Sequence, residues 1–253
     1  AAGVTSVINV GSQFSTSERA VRLTQEHAGL YAAIGLHPVH LFEQEMDEEG
    51  TRFKTRAEVF NSERYRQLAQ SSAKVVAVGE CGLDYYRFPP GVEAEEVKRG
   101  QAELFKQQMD LATECSLPLI IHCREAYDDL FVLLKEAVEA GKLPKRGVNH
   151  CFLGNRVQAK QFLELGFLLS FTGIITFKNA GVELLEVVKE TPLTKIMVET
   201  DAPFLAPGQY RGGRNEPAYV VEVAKKIAEL QGVAYEEVDT VTTQNGRSLF
   251  GIS

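Results

Sequence analysis

Residues 75–84 read Val-Val-Ala-Val-Gly-Glu-Cys-Gly-Leu-Asp, and this stretch decides how the rest of the chain is interpreted. Residues 75–79 form a short run of apolar and small side chains with no polar alternation. Such a run is typical of a strand that is buried on both faces, as in a parallel sheet. Glu80 follows directly, so we predict that its carboxylate lies at the carboxyl end of this strand.

Six further short apolar runs lie on either side of this strand, and longer amphipathic segments separate them. We predict strands over residues 6–10, 31–36, 119–122, 147–150, 167–171 and 195–198. We predict helices over residues 93–115, 126–140, 156–165, 182–189, 217–231 and 235–250, and one that begins near Ser15. Strands that alternate with helices in this way predict an α/β fold with a parallel sheet and right-handed crossovers.

The number of strands bears on the fold class. The sequence predicts seven strands, whereas a closed (β/α)8 TIM barrel has eight. The chain begins almost directly in a strand, so we expect either an open sheet or a TIM barrel that lacks its first strand and helix. No domain boundary stands out, so we expect a single, N-terminally incomplete TIM-barrel domain over residues 1–253. Residues 42–66 are charged and lack periodicity, which indicates a solvated insertion with a short helix at its end.

The composition excludes several classes of protein. Hydrophobic residues make up 44% of the chain and charged residues 24%, and no apolar run approaches the roughly 20 residues that span a bilayer. The four cysteines form no CxxC pair, and the first residues form no signal peptide, so we predict a cytoplasmic protein with reduced thiols. We also expect a monomer without membrane contacts. The net charge of −7 argues against a protein that coats nucleic acid, but it permits an enzyme that grips one strand end.

Polar side chains follow five of the predicted strands. They are His37, Glu80, His122, His150 and Asp201. In an α/β barrel the carboxyl ends of the strands line the active site, so we expect these side chains to meet at one rim. A single histidine or carboxylate at a strand end is usually structural. Two histidines and two carboxylates together match a site for a divalent metal ion.

The alternation of side chains along a strand extends this prediction. If His122 points into the barrel mouth, Arg124 points the same way, where its guanidinium could hold a phosphate. A salt bridge between Arg124 and a neighbouring acid is the alternative. Glu80, Glu199 and Asp201 would repel one another at one rim unless cations neutralised them. A pair of metal ions removes that repulsion and suits phosphodiester cleavage.

These motifs resemble the TatD family of metal-dependent deoxyribonucleases, within the amidohydrolase-like hydrolases. The resemblance covers nearly the whole chain, and the matching strings occur in the family's order. They are residues 35–38, 79–86, 118–124, 150–152, 173–178, 199–203 and 214–217. The resemblance implies a TIM-barrel metal-dependent hydrolase that degrades DNA, typically from a 3′ strand end, with two divalent ions (Mg2+, Mn2+ or Zn2+).

The resemblance also implies roles for the metal-binding residues. Glu80 is similar to the carboxylate that bridges the two metal ions, and it belongs to the catalytic residues for that reason. His122 and His150 are similar to the ligands of the second metal ion. Asp201 is similar to a ligand of the first metal ion that also orients or deprotonates the attacking water.

Five further residues resemble the family's substrate contacts. His37 and Arg124 are similar to residues on the phosphate side of the site. Arg214, Asn215 and Glu216 are similar to a loop that shapes the substrate pocket. These assignments follow from the resemblance, residue by residue.

The sequence departs from the family in one important respect. The family's first strand carries a His-x-His pair that completes the first metal site, and no such pair occurs here. We therefore expect weak binding of the first metal ion and impaired catalysis. Two alternatives stay open: a metal-dependent amidohydrolase that acts on small esters or amides, and a non-catalytic barrel kept for binding a partner. The use of Glu80, where related barrels often use a carboxylated lysine, favours the nuclease.

Overall fold

The computed structural model describes residues 2–48 and 51–252, and the chain divides into two compact units. The N-terminal unit comprises Thr5–Gly147, and the C-terminal unit comprises residues 148–252 together with residues 2–4. Both units are built from parallel strands that are followed by helices. That residues 1–253 act as one domain stays a prediction.

Strands and helices alternate along the N-terminal unit. In chain order they are β1 (Val7–Val10), α1 (Phe14–Glu26), β2 (Leu30–Ile34), β3 (Glu45–Glu48), β4 (Thr51–Lys54), α2 (Ser62–Gln70), β5 (Val75–Asp84), α3 (Ala94–Cys115), β6 (Leu119–Arg124) and α4 (Tyr127–Glu139). Strands β1, β2, β5 and β6 are neighbours in that order and all pair in parallel.

Strand β5 is one of the two inner strands of this unit's parallel sheet, with β2, and extends five residues beyond its predicted end. Sequence analysis ended it at Gly79, but the strand continues to Asp84 because residues 81–84 pair with β6. In this pairing Gly82 lies opposite His122, and Asp84 lies opposite Arg124. Strand β6 also extends beyond its predicted end at His122 and reaches Arg124.

Helix α3 covers this sheet with one continuous buried face. Its buried residues include Leu104, Phe105 and Leu111, which recur at the spacing of an amphipathic helix. Two glutamines, Gln101 and Gln108, are also buried on this face. Buried amides need hydrogen-bond partners, and both find theirs in the backbone of the sheet, as described below.

The insertion predicted at residues 42–66 contains an antiparallel hairpin that sequence analysis missed. In it β3 pairs with β4, and Asp47 lies opposite Arg52 with a salt bridge of 3.2 Å. Met46 and Phe53 also face each other, and Met46 is buried. The short helix at the end of the insertion exists as α2. Residues 49–50 of this prediction lie outside the described part of the chain.

The C-terminal unit continues the alternation. Its elements are β7 (Gly147–Asn149), within which the boundary between the units falls, α5 (Arg156–Glu164), β8 (Leu168–Phe171), α6 (Val182–Glu190), β9 (Ile196–Val198), α7 (Val220–Gln231) and α8 (Tyr235–Phe250). Strands β7, β8 and β9 are parallel neighbours in that order. Fully buried Phe152, Phe162 and Phe171 pack edge to face in the core of the unit.

All seven predicted strands and seven predicted helices occur at or close to their expected positions within the described ranges. Among these residues, no helix combines the length and the apolar character that crossing a bilayer requires.

Candidate metal centre

Three polar side chains meet on the central strands of the N-terminal unit. Glu80 and Asp84 both belong to β5 and are an even number of residues apart, so they point to the same face of the sheet. His122 on the neighbouring strand β6 lies between them. The Glu80 N–H donates to the carbonyl of Gly11, which follows β1.

The distances place both nitrogens of His122 against carboxylates. His122 Nδ1 lies 3.0 Å from Glu80 Oε1, and His122 Nε2 lies 3.0 Å from Asp84 Oδ2. His37 Nε2 lies 3.4 Å from the same Glu80 oxygen. One donor atom from each of His37, Glu80 and His122 lies within 4.8 Å of the other two. Imidazole nitrogens and carboxylate oxygens at these separations suit a borderline divalent ion, so the residues fit the metal that the sequence implies.

The electrostatics of this group favour a positive charge. Burial alone would lower the pKa of His122, but the hydrogen bonds and charges of Asp84 and Glu80 outweigh it and raise the pKa to about 9. Burial would raise the pKa of Asp84, yet His122 holds it below its usual value. Burial and the neighbouring His122 lower the pKa of His37. Glu80 and Asp84 thus stabilise a positive charge at His122. They would stabilise a bound metal ion in the same way.

The backbone around His37 orients its ring toward Glu80. His37 precedes a 3-10 turn over Pro38–Leu41, and its Nδ1 accepts a hydrogen bond from the Val39 N–H at 3.3 Å. Its own N–H donates to the carbonyl of Ser12 at 2.9 Å. Since Nδ1 is occupied, Nε2 is the nitrogen that faces the group. Sequence analysis assigned His37 to the phosphate side, and the structure puts its ring among the candidate metal ligands.

Two glutamines of α3 hold the backbone on either side of this group. Gln108 accepts from the Leu36 N–H at 2.8 Å and donates to the Leu36 carbonyl at 2.9 Å. Gln101 makes the same pair of bonds with the Asp84 N–H and carbonyl, at 2.8 and 2.9 Å. Each side-chain amide therefore makes the two backbone hydrogen bonds that a neighbouring strand would otherwise make. One pair lies next to His37, and the other lies at Asp84.

Arg124 lies at the end of β6 and stacks on an aromatic ring. Its guanidinium carbon lies 3.6 Å from the centre of the Tyr86 ring, and that of Arg87 lies 5.0 Å from the same ring. The side chain of Tyr86 is 42% exposed. Stacking of this kind holds a guanidinium in one plane. The role of Arg124 as a phosphate contact stays a prediction.

A second group of candidate ligands lies in the C-terminal unit. His150 Nδ1 lies 3.2 Å from Glu199 Oε1, and the same oxygen accepts the Cys151 N–H at 2.6 Å. Burial raises the pKa of the Cys151 thiol to about 12, and the charges of Asp201 and Glu199 act in the same direction. Asp201 is thus close enough to this group to act on it electrostatically. A thiol with this pKa stays protonated near neutral pH and is a poor metal ligand.

The loop after β9 carries Asp201, and Asn215 fixes that loop. The Asn215 side chain donates to the carbonyls of Thr200 and Phe204, at 2.7 and 2.6 Å, and it is 2% exposed. Asp201 itself adopts a left-handed conformation with φ of 59°. Because the Asn215 N–H groups are engaged by the loop, the structure gives Asn215 a positioning role within its own unit. Arg214 and Glu216 on either side of it are exposed, and their contacts with substrate stay predictions.

Sequence analysis left two carboxylates out of the candidate ligands. Asp84 lies beyond the strand end predicted at Gly79, although its even spacing from Glu80 places both on the same face of β5. Glu199 was counted only as one of the gathered acids, although it precedes Asp201 by two residues in the same motif. Both bind a histidine that was predicted to be a metal ligand.

Histidines and carboxylates gathered at the ends of parallel strands in an α/β fold define a class, the metal-dependent hydrolases. Comparison with known proteins agrees with that class. The family model described as TatD related DNase matches residues 1–251. The chain belongs to the TatD family of metal-dependent hydrolases.

Individual relatives resemble the chain over nearly its full length. It is 40% identical to the metal-dependent hydrolase YabD of Bacillus subtilis, covering 98% of this chain and 88% of the relative. It is 34% identical to the 3′-5′ ssDNA/RNA exonuclease TatD of Enterobacter lignolyticus, covering 100% and 90%. The crystal structure of YjjV, a TatD homologue from Escherichia coli, matches with a TM-score of 0.84 and 31% identity, covering 100% and 88%. This likeness confirms the predicted fold class, the α/β class of the TIM barrels.

Proposed function

We propose that this protein is a divalent-metal-dependent nuclease that hydrolyses phosphodiester bonds of DNA and removes nucleotides from a 3′ strand end. The observation that carries the proposal is the donor group of His37, Glu80 and His122 in the N-terminal unit. The relatives named 3′-5′ ssDNA/RNA exonuclease support it at 34% and 32% identity. DNA strand ends are thus the proposed partner of the protein.

The proposed metal ligands divide between the units. Glu80 and His122 of the N-terminal unit would be metal ligands, as would His150 and Asp201 of the C-terminal unit, each in the role that the resemblance implies for it. Two divalent ions (Mg2+, Mn2+ or Zn2+), when bound, polarise a phosphoryl oxygen and lower the pKa of water. The protein's contribution is to fix these ligands, as Asp84 does for the ring of His122.

Other side chains would bind substrate and move protons. Asp201 would orient the attacking water and accept its proton, which is the role that the resemblance implies for it. Arg124 would grip the phosphate, since Tyr86 holds its guanidinium flat at 3.6 Å. Because the sequence contains no His-x-His pair, we expect slow turnover by these 253 residues.

A pair of labelled oligonucleotides tests the proposal. Single-stranded DNA labelled at its 3′ end should release a labelled mononucleotide at once, and the same strand labelled at its 5′ end should shorten stepwise. Both reactions should need Mg2+, Mn2+ or Zn2+ and stop with EDTA. If neither strand shortens while a panel of small esters is hydrolysed, the amidohydrolase alternative is correct. If nothing is hydrolysed and mass spectrometry finds no bound metal, the non-catalytic alternative is correct.

A further inference from the structure

An open cleft of about 370 Å³ lies between the start of α1 and the segment that leads into α2. The residues that matter on its walls are Gln13, Phe14, Arg56, Glu58, Val59 and Arg64. We propose that this cleft binds a nucleotide of the DNA strand beside the nucleotide that is removed. The inference rests on the proposed function and deepens it, because it assigns a second contact region for a single strand.

Two arginines give the cleft its affinity for phosphate. Arg56 is exposed, and within the described ranges its guanidinium makes no ion pair and no side-chain hydrogen bond. Arg64 stacks on Phe14, with its guanidinium carbon 3.8 Å from the ring centre. A guanidinium that is held flat, beside a second one that has no partner, can bind phosphate oxygens with paired N–H groups.

The less exposed carboxylate of the cleft, Glu58, already accepts hydrogen bonds from the protein itself. Both oxygens of Glu58 accept from the Phe14 N–H, at 3.1 and 3.2 Å, and Oε1 also accepts from the Tyr65 hydroxyl at 3.0 Å. Glu58 thus joins the two walls. Glu18 also lines the cleft, but it is exposed on α1, where solvent screens its charge.

The cleft also offers an apolar surface to a nucleobase. The side chain of Val59 is 86% exposed at the cleft, although valine is usually buried. The Phe14 ring also lines the cleft, where Arg64 covers one face and Tyr65 packs against it edge to face. Guanidinium groups that follow a backbone, together with apolar and aromatic surfaces for the bases, are the features of sites for single-stranded nucleic acid.

Both walls are hydrogen-bonded to the segments that carry the candidate metal ligands. On one side, Gly11 and Ser12 accept from the Glu80 and His37 N–H groups, at 3.0 and 2.9 Å, directly before Gln13. On the other side, the Glu58 N–H donates to the carbonyl of His40 at 2.8 Å. The loop before α1 is therefore hydrogen-bonded to the segments of the candidate metal group and leads directly into a wall of the cleft. A strand whose end lies at Glu80 can continue over this loop into the cleft.

Fluorescence anisotropy with a labelled single-stranded DNA dodecamer tests the proposal on EDTA-treated full-length protein. Arg56→Ala should weaken binding roughly tenfold, the size expected for one charged hydrogen bond. It should also lower the slope of log affinity against log salt by about one. Arg56→Lys should recover part of the affinity. The matched control is Arg19→Ala, which removes an exposed arginine of α1 that does not line the cleft, and it should bind like the unmodified protein.

The outcomes separate this inference from the proposed nuclease function. Equal binding by Arg56→Ala and unmodified protein would overturn the proposal that the cleft binds DNA. An equal loss of affinity in Arg19→Ala would also overturn it. So would an unmodified protein that does not bind the dodecamer. If Arg56→Ala weakens binding but no oligonucleotide is shortened with any metal, DNA binding at the cleft is supported and the proposed nuclease function is wrong. If cleavage occurs, KM for the dodecamer should rise in Arg56→Ala while KM for a dinucleotide stays constant.

Discussion

The two groups of candidate ligands use the same side-chain types but hold them differently. In the N-terminal unit, Glu80 and Asp84 belong to one strand and bind both nitrogens of His122. In the C-terminal unit, Glu199 lies just beyond β9, and its Oε1 is shared by His150 and the Cys151 N–H. The positions of the first group's side chains depend on the backbone hydrogen bonds of a sheet. The position of Glu199 in the second group depends on the loop after β9.

This difference predicts unequal tolerance to change. A ligand on a paired strand keeps its position when a neighbour is altered, because the ladder of backbone bonds fixes it. A ligand beside a loop depends on the bonds of that loop, such as those from Asn215 to the carbonyls of Thr200 and Phe204. We therefore expect the N-terminal ligands to keep their positions better than the C-terminal ones when a neighbouring residue is altered.

The largest expected effect comes from a matched pair of substitutions, Glu80→Gln and Glu199→Gln. Glu80 contacts both His37 and His122, so loss of its charge should remove metal from the N-terminal group and slow hydrolysis by more than about a hundredfold. In Glu199→Gln the amide oxygen can still accept the Cys151 N–H, so we expect a loss of about tenfold. Metal content by mass spectrometry and the hydrolysis rate check both. Equal losses would show that the two groups do not differ.

A second pair of variants, Gly82→Ala and Gly212→Ala, compares the backbone of the two units. Gly82 has φ of 144°, and a Cβ there would lie 2.0 Å from the His122 carbonyl oxygen. Gly212 has φ of 87° and nothing within 4 Å of the corresponding position. We expect Gly82→Ala to reduce the free energy of unfolding by about 3 kcal/mol and Gly212→Ala by about 1 kcal/mol. Urea unfolding measures both, and a Gly82→Ala protein as stable as Gly212→Ala would contradict the close approach of β5 and β6.

A smaller effect is expected for the change in metal affinity over one pH unit. Because the pKa of His122 is raised to about 9, the ring is protonated at neutral pH and must lose a proton to bind a metal ion. Affinity at the N-terminal group should therefore rise about tenfold per pH unit up to about pH 9 and then level off. Asp84→Asn removes one of the two carboxylates that raise this pKa, so levelling off should begin at lower pH. Calorimetric titration at several pH values checks this, and a constant affinity would contradict it.

The alternation of strands and helices could be predicted because buried strands and amphipathic helices leave different patterns in the sequence. The end of β5 could not, because Gly79 and Gly82 look like loop residues until pairing with β6 is known. That error also hid Asp84. The hairpin of β3 and β4 was missed because its stability comes from cross-strand pairs, such as Asp47 with Arg52, rather than from an apolar run.

The two glutamines of α3 have a consequence for how this family can vary. Gln101 and Gln108 are seven positions apart, close to two helical turns, so both amides face the sheet from one rigid rod. Substitutions on the outer side of α3 leave the spacing of these two amides unchanged. A single inserted residue between them would turn one amide by about 100° away from its strand. The length of this stretch of helix therefore matters more for these hydrogen bonds than the identity of its outward-facing residues.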